Sequence, residues 1–188
     1  LVDPTGPRTP LEVRAVDVVH DLAVLASRLK PAAHFDLAPI SVAQGERLYS
    51  LGHPNDLGLS IVEGTYNGHL QHTLYPKIHF TGSINPGMSG GPTISEDGRV
   101  IGVNVATSGN QVSFLVPVDR AAALVRAATA PGYEPPDSTL ELIGRQIMAY
   151  QAEYLDGMFD DSVRTVELGP FRAVTQPAPF FRCWGDSY

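Results

Sequence analysis

The sequence predicts a mainly β protein, an antiparallel β-barrel or sandwich with helices at its carboxy-terminal end, and three observations support this. The 188 residues include 18 Gly and 16 Pro, which break helices and separate short strands. From residue 47 onward, about six short apolar segments follow one another with Gly, Pro, Asn or Asp in nearly every gap. Two later segments repeat their apolar residues at helical spacing instead.

The amino-terminal part predicts two strands joined by a polar corner. Residues 11–19 have the β-branched content of a strand, and residues 22–25 resume it just past Asp21. Residues 30–45 show no period and contain Pro31 and Pro39, so they predict a surface connector between two units.

The middle of the chain predicts the barrel or sandwich. Alternation of apolar and polar residues in 77–81 is how a strand buries one face and wets the other. Glu96-Asp97-Gly98 indicates a hairpin turn. Strands are predicted at 48–52, 60–66, 77–81, 92–95, 100–105 and 112–116.

The carboxy-terminal part predicts two helices. Pro117 can open the first, whose apolar stripe includes Val118, Ala121, Ala122 and Val125. After a Pro-rich linker, 130–137, Ser138 and Glu141 form a capping box that begins a second helix reaching about residue 156. Residues 162–188, rich in Phe and Pro, predict no element.

Charge and composition argue against several classes of partner. The net charge is −7 and no run of Lys or Arg occurs, so nucleic acid is not expected as a partner. No apolar stretch approaches the roughly 18–20 residues that span a bilayer, so no membrane insertion is expected. The single Cys183 predicts neither an internal disulfide nor a zinc site. Residues 1–10 show no signal-peptide pattern, and the absence of an initial Met suggests that the chain was cut from a longer one.

The strongest chemical signal is residues 85–92, Asn-Pro-Gly-Met-Ser-Gly-Gly-Pro. A serine nucleophile stands exposed on a tight turn, where backbone N–H groups can point at the oxygen that becomes negative. Gly87 allows the turn to aim its own amide and that of Ser89 at one point, and Gly90 and Gly91 leave space for a substrate. The alternative is a Gly-rich hairpin turn with an ordinary serine.

Residues 84–92 and 98–104 resemble the nucleophile region of trypsin-like serine proteases of the chymotrypsin fold, particularly the bacterial Deg (high-temperature-requirement) type. Three further parts of the sequence resemble segments of these proteases, and they occur in the same order along the chain as in the family. Residues 17–25 resemble the segment around the acidic member of the triad, 51–54 and 60–68 the strand pair that opens the second barrel, and 114–117 its last strand. The resemblance covers about residues 11–127.

The resemblance implies two antiparallel Greek-key β-barrels, the first incomplete, followed by helices. Residues 1–40 would hold the remainder of the first barrel, residues 41–130 the second barrel and closing helix, and residues 131–188 a linker, a helix and an unassigned tail.

The resemblance also implies a serine endopeptidase acting on polypeptides, with no metal or organic cofactor and with export from the cytoplasm. Ser89 matches the nucleophile, Asp21 the residue that orients the imidazole, and the amides of Gly87 and Ser89 the oxyanion hole. The alternative for Asp21 is a surface aspartate at a strand corner.

Other positions match the primary specificity pocket. They are Ser83, Asn104, Val105 and Ala106. Since Ser83 is not acidic, small or medium apolar side chains are expected in that pocket rather than Lys or Arg. The sequence indicates no oligomeric state.

Two departures from the family pattern matter. Met88 stands where digestive members have an acid, so activation by an ion pair with a new amino terminus is not expected. In the family the histidine precedes the aspartate by tens of residues, whereas here only His20 precedes Asp21, and adjacent residues on an extended strand face opposite sides. The catalytic histidine is therefore expected outside this chain, which would be nearly inert alone.

The remaining histidines are interpreted as satisfied surface or turn residues, with His69 and His72 in a loop and His79 facing outward. They are His34, His53, His69, His72 and His79. Two other functions stay open: a non-catalytic, protease-like module that binds peptides, and a tail from residue 162 that begins an unrelated interaction domain.

Overall fold

The computed structural model describes residues 9–28, 33–37, 41–70, 73–159 and 164–176. Up to residue 159 its strands and helices follow the predicted order, with a short 3₁₀ turn at Pro54–Asp56 between the third and fourth strands. The elements are β1 (Glu12–Asp17), β2 (Leu22–Ala26), β3 (Arg47–Gly52), β4 (Ser60–His69), β5 (Ile78–Phe80), β6 (Pro92–Ser95), β7 (Val100–Thr107), β8 (Ser113–Pro117), α1 (Val118–Ala128), α2 (Thr139–Phe159), β9 (Arg164–Leu168) and β10 (Phe171–Gln176).

Six strands close into an antiparallel barrel in the order β3-β4-β5-β8-β7-β6. A closed barrel, and not a sandwich, is therefore the outcome of the strand pattern. Alternation along the strands sends one set of side chains inward, where they form a single apolar core. The core residues are Leu48, Ile78, Phe80, Ile84, Met88, Ile101 and Leu115.

The hairpin turn predicted between β6 and β7 is confirmed. Gly98 has a φ of +81°, and the Ser95 hydroxyl donates a hydrogen bond to the Asp97 carboxylate. That hydrogen bond, together with the nearby Arg99 guanidinium, holds the pKa of the Asp97 carboxyl below its usual value.

Both helices begin where the sequence indicates. Pro117 is the residue before α1, and the amide of Glu141 donates to the Ser138 hydroxyl at 3.2 Å, which is one half of the predicted capping box. The apolar stripe of α1 is largely buried, as expected, although Val125 is only half-buried. Its buried residues are Val118, Ala121, Ala122 and Ala128.

β1 and β2 form a two-stranded hairpin, and the outer edge of β1 is covered from the carboxy-terminal part of the chain. The Gln146 side-chain amide donates to the Val16 carbonyl at 2.8 Å and accepts from the Val18 amide at 2.9 Å. The Tyr133 hydroxyl donates to the Arg14 carbonyl at 2.7 Å. One side-chain amide thus makes the pair of hydrogen bonds that a neighbouring strand would make, which is one way to protect an edge.

We expect Gln146→Ala to loosen this hairpin by about 1–2 kcal/mol, because the Val16 carbonyl in β1 and the Val18 amide just after it lose their partner. Hydrogen exchange at the Val18 amide should accelerate roughly tenfold. Arg145→Ala is the matched control. Arg145 is also on α2, but its side chain is exposed and its one ion pair, with Glu141 at 3.9 Å, contributes little to stability. Equal exchange at Val18 in both variants would contradict the role of Gln146.

Two expectations about secondary structure are wrong. His69 ends β4 instead of lying in a loop. Residues 164–176, for which no element was predicted, form the β9–β10 hairpin, because Gly169 adopts a φ of +61° and turns the chain between two β-rich segments. His72 and Cys183 lie outside the described residues.

Neither helix of the described ranges combines the length and the apolar character that crossing a membrane requires.

Candidate active site

The segment that carries Ser89 connects β5 to β6 and places neighbouring side chains on opposite sides. Met88 is fully buried in the barrel core, whereas Ser89 is exposed. The Met88 amide donates to the Asn85 carbonyl at 3.0 Å and the Gly91 amide to the Met88 carbonyl at 3.0 Å, so two successive turns enclose the serine. Packing of Met88 in the core anchors the turn to the barrel.

Asn104 on β7 holds this turn to the barrel. Its side-chain amide donates to the Met88 carbonyl at 3.0 Å and to the Leu51 carbonyl at 3.3 Å. Its side-chain oxygen accepts from the Ser50 hydroxyl at 3.0 Å and the Thr93 hydroxyl at 2.6 Å. Asn104, Ser50 and Thr93 are all 0% exposed, so this polar network is buried and satisfied.

The backbone of Asn104 adds two further hydrogen bonds on either side of the turn. The Gly90 amide donates to the Asn104 carbonyl at 2.8 Å, and the Asn104 amide donates to the Gly91 carbonyl at 2.9 Å. Gly90 and Gly91 therefore extend the β6–β7 pairing. Because these two residues follow Ser89 directly, their hydrogen bonds to β7 fix the position of the serine relative to the barrel.

The segment after β3 supports the other side of the turn. The His53 amide donates to the Gly87 carbonyl at 3.3 Å, and the Asn55 amide donates to the Pro86 carbonyl at 3.2 Å. Gly87 has a φ of +96°, and a Cβ there would lie 2.3 Å from the His53 carbonyl oxygen. Only glycine fits this position without a shift of the backbone.

The amides of Gly87 and Ser89 donate no hydrogen bond to any described residue. Most backbone amides in folded proteins have a hydrogen-bond acceptor, so two neighbouring amides without one form a possible binding site for an acceptor. They are available to a negatively charged oxygen held near Ser89.

The residues predicted to line a specificity pocket lie around the same turn. Ser83 is half-buried, its carbonyl accepts from the Asn85 side chain at 3.2 Å, and the next amide, Ile84, donates to the Ser113 hydroxyl at 3.2 Å. Val105 and Ala106 are half-buried beside a β-bulge of β7. The pocket itself stays a prediction for these residues. Both polar atoms of the Asn104 side chain make hydrogen bonds within the buried network. Asn104 thus supports the turn, a role that the sequence did not indicate.

Asp21 lies at the end of the turn that joins β1 and β2. It is exposed and has a φ of +56°, and no hydrogen bond joins its carboxylate to a described residue. Asp17 orders this turn, since its carboxylate accepts from the His20 amide at 3.1 Å and lies 2.7 Å from His20 Nδ1. The His20 ring also packs edge-on against Tyr75, with ring centroids 5.5 Å apart.

The polar corner predicted between two strands is confirmed, since residues 18–21 form the turn between β1 and β2. His20 and Asp21 therefore do not lie on an extended strand, and they need not face opposite sides. His20 is nevertheless engaged with Asp17. Asp17, an acidic residue three positions before His20, is the feature of the sequence that could have indicated this contact.

His79 faces away from the barrel core, as expected, since its neighbours Ile78 and Phe80 are the core residues of β5, but its side chain is not satisfied. Its Nε2 atom is buried and has no hydrogen-bond partner among the described residues. β5 lies between β4 and β8 in the barrel, so neighbouring strands flank the outward face of His79 on both sides.

His53 is exposed, and His34 lies 3.7 Å from Asp36 in the connector.

Within the part of the chain that the structure describes, no cluster of three or more His, Cys, Asp or Glu side chains is arranged to hold a metal ion.

The barrel and its helix are those of chymotrypsin-type proteases. The HtrA-type protease AlgW, solved with a decapeptide, superposes with a TM-score of 0.62 at 24% identity over 69% of this chain and 43% of that one. The serine endoprotease from Yersinia pestis superposes with a TM-score of 0.57 at 21% identity over 69% of this chain and 48% of that one. At this identity the similarity defines the fold.

The family model for the trypsin-like peptidase domain matches residues 1–103, more than half of the chain, and the chain therefore belongs to the trypsin-like peptidase family. Its relatives include the putative serine protease HhoA of Synechocystis, 30% identical over 66% of this chain and 35% of that protein. The mitochondrial serine protease HTRA2 of Bos taurus is 34% identical over 62% of this chain and 28% of its own length.

A probable periplasmic serine endoprotease, DegP-like, of Halomonas elongata is 34% identical over 61% of this chain and 26% of its own length. The relatives are thus serine proteases of the HtrA and Deg type. The chain spans 35% or less of the length of these three proteins.

Proposed function

We propose that this chain carries the nucleophile of a serine endopeptidase and that Ser89 is this nucleophile. The observation that supports the proposal most directly is the exposed Ser89 on a turn whose own amides, at Gly87 and Ser89, have no acceptor in the part of the chain that the structure describes. Such a turn can present a hydroxyl to a peptide carbonyl and stabilise the oxyanion that forms.

In the proposed reaction the Ser89 Oγ bonds to the carbonyl carbon of the peptide as its proton passes to a histidine. The amides of Gly87 and Ser89 donate to the carbonyl oxygen when it becomes negative. The C–N bond then breaks, and the histidine returns the proton to the leaving amine. Water attacks the acyl-enzyme and releases the acid with Ser89 regenerated.

The histidine is proposed to come from outside these 188 residues, as the family order of the triad implies. His20, the only histidine before Asp21, is 2.7 Å from Asp17 and packs against Tyr75. Without a base the serine hydroxyl stays protonated, which costs about 10⁶-fold in rate, or about 8 kcal/mol of barrier. Asp21 is proposed to orient that histidine from its exposed position on the β1–β2 turn.

The substrates are proposed to be polypeptides with a small or medium apolar side chain before the scissile bond. Support for the apolar preference is that Ser83, beside the nucleophile turn, carries no charge that would attract Lys or Arg. Pocket contacts of the residues at 104–106 would then come from the backbone of Asn104 and from Val105 and Ala106.

The proposed organisation places the remainder of a first barrel within residues 1–40, the second barrel and closing helix within 41–130, and a linker, helix and tail within 131–188. Export to the periplasm or beyond is proposed because relatives such as the Halomonas elongata protein are described as periplasmic.

The test is labelling of Ser89 by a fluorophosphonate probe in the protein expressed from its complete coding sequence. We expect covalent labelling that Ser89→Ala abolishes. Ser108→Ala is the matched control, because Ser108 is also exposed but lies in the loop that follows β7 and is not part of the nucleophile turn. A peptide library would then report the preferred side chain before the cleaved bond.

The second candidate is a non-catalytic module of the same fold that binds peptides near Ser89. The engagement of His20 with Asp17 favours it over a protease built from this chain alone. Absence of labelling in the complete protein, with no histidine upstream of His20, would overturn the protease proposal and leave the binding module.

A further inference from the structure

The turn between β1 and β2 places Asp21 without help from the Asp21 side chain. Asp21 is exposed, its φ is +56°, and its carboxylate has no hydrogen-bond partner among the described residues. A residue other than glycine keeps a left-handed conformation only where its surroundings hold it there. The direction of the Asp21 carboxylate therefore depends on the contacts that residues 17–20 make.

The first set of contacts comes from within the turn. The Asp17 carboxylate accepts from the His20 amide at 3.1 Å and lies 2.7 Å from His20 Nδ1. The side chains of Asp17 and His20 are 24% and 14% exposed, so water competes little for this pair. The two carboxylate oxygens thus bind the backbone and the ring of the residue directly before Asp21.

The second set of contacts comes from α2, which lies outside the residues that the family model matches, 1–103. Gln146 donates to the Val16 carbonyl at 2.8 Å and accepts from the Val18 amide at 2.9 Å. A side-chain amide carries a donor and an acceptor at one end, which is the combination that this pairing requires. Because Val16 and Val18 flank Asp17, one side chain of α2 fixes the chain on both sides of the residue that orders the turn.

The same helix also holds the segment against which His20 packs. The Tyr150 hydroxyl donates to the Leu74 carbonyl at 3.0 Å. The next residue, Tyr75, contacts the His20 ring edge-on, with ring centroids 5.5 Å apart. Gln146 and Tyr150 are four positions apart and therefore share one face of the helix. That face fixes the start of the turn directly and the ring of His20 through Tyr75.

We propose that α2 positions Asp21, and that Gln146, Asp17 and His20 are the positioning residues through which it does so. This inference rests on the proposed function, in which Asp21 orients the histidine that activates Ser89. The role of the three side chains is to keep the Asp21 turn in one conformation, and not to contact the substrate. A helix on the carboxy-terminal side of the barrel thereby contributes to catalysis.

The test measures the reaction of a fluorophosphonate probe with Ser89 in the protein expressed from its complete coding sequence. Saturation kinetics give kinact, which depends on activation of the serine, and KI, which depends on binding of the probe. Gln146→Met removes both hydrogen bonds but keeps a side chain of similar length, and Asp17→Ala removes the contacts within the turn. We expect each to lower kinact about 10- to 100-fold with KI changed less than about twofold, since a misplacement of about 1 Å can cost about 10²-fold in rate.

The same substitutions in an Asp21→Ala background separate positioning from a general structural role. If Gln146 and Asp17 act only through Asp21, their substitution should change kinact less than about twofold once Asp21 is absent. Asp17→Asn keeps an oxygen for the His20 amide and should leave kinact within about threefold of the parent value. Arg145→Ala provides the control on α2, because the Arg145 side chain is exposed, and it should keep the kinact of the parent.

Equal losses in the parent and Asp21→Ala backgrounds would overturn the proposal, as would a parent-like kinact for either Gln146→Met or Asp17→Ala in folded form. Circular dichroism reports whether each variant folds, and if one of the two does not, the other gives the answer. Labelling that survives Ser89→Ala, or a kinact that Asp21→Ala leaves unchanged, removes the proposed function itself and the positioning role with it. Failure of the positioning role alone leaves the dependence on Ser89 and Asp21 intact.

Discussion

Asn104→Leu is expected to lower the free energy of unfolding by about 4 kcal/mol or more, a large fraction of the stability of an ordinary domain. Leucine has nearly the shape of asparagine but makes no hydrogen bond. The substitution would leave the hydroxyls of Ser50 and Thr93 without the side-chain oxygen that accepts from them. The carbonyls of Leu51 and Met88 would each lose one donor, although the Met88 carbonyl keeps the Gly91 amide. Each buried polar group left unpaired costs about 1–3 kcal/mol.

Denaturant unfolding of the parent and variant chains measures this effect, and two further variants identify its cause. Asn85→Leu is the matched control, since Asn85 is exposed and makes one side-chain hydrogen bond, to Ser83, so a loss under about 1 kcal/mol is expected.

Adding Ser50→Ala and Thr93→Val to Asn104→Leu should recover part of the loss, because two unpaired hydroxyls are then removed. If the triple variant is less stable than Asn104→Leu, unpaired polar groups do not explain the effect of Asn104, and a packing explanation takes its place.

Gly87→Ala is expected to cost about 3 kcal/mol and to displace the nucleophile turn. A φ of +96° is strained for alanine, and the new Cβ would lie 2.3 Å from the His53 carbonyl oxygen, which belongs to the backbone and cannot rotate away. Relief requires separation of the turn from residue 53, so the hydrogen bond from the His53 amide to the Gly87 carbonyl should break. Faster hydrogen exchange at the His53 amide would report this directly.

Gly98→Ala separates the two causes. Gly98 has a similar φ of +81°, but a Cβ there meets no atom within 4 Å. The expected loss is about 1 kcal/mol from backbone strain alone. Equal losses for Gly87→Ala and Gly98→Ala, measured by denaturant unfolding, would show that the contact with His53 contributes nothing and that the turn is not held against residue 53.

Local sequence patterns were enough to predict the strands of the barrel and the start of both helices. β6 has the predicted bounds, 92–95, and the other strands differ from prediction by a few residues at their ends. The capping serine before α2 was also readable, because its bond to the Glu141 amide joins residues three apart. The motif around Ser89 likewise indicated an exposed serine on a tight turn, since the glycines that permit such a turn are its neighbours in the chain.

The sequence did not reveal the groups that hold the turn in place. Asn104 was selected as a pocket residue, yet its side chain reaches back 16 positions to the Met88 carbonyl and 54 positions to the Ser50 hydroxyl. Gln146 lies 130 positions from Val16, whose carbonyl it pairs with. Hydrogen bonds between residues so far apart cannot be predicted from strand or helix periodicity. That periodicity shows only that a position is polar, and not which distant residue it will contact.

The sequence by itself therefore determined the family, the alternation that buries one face of each strand, and the turn that can present Ser89. Only the tertiary structure decided which polar side chains are buried, that α2 covers the edge of β1, and that His20 is engaged with Asp17. The physical reason is the range of the interactions: strand alternation, capping and turn conformation are set by residues a few positions apart, whereas burial and long-range pairing exist only after the chain has closed its barrel.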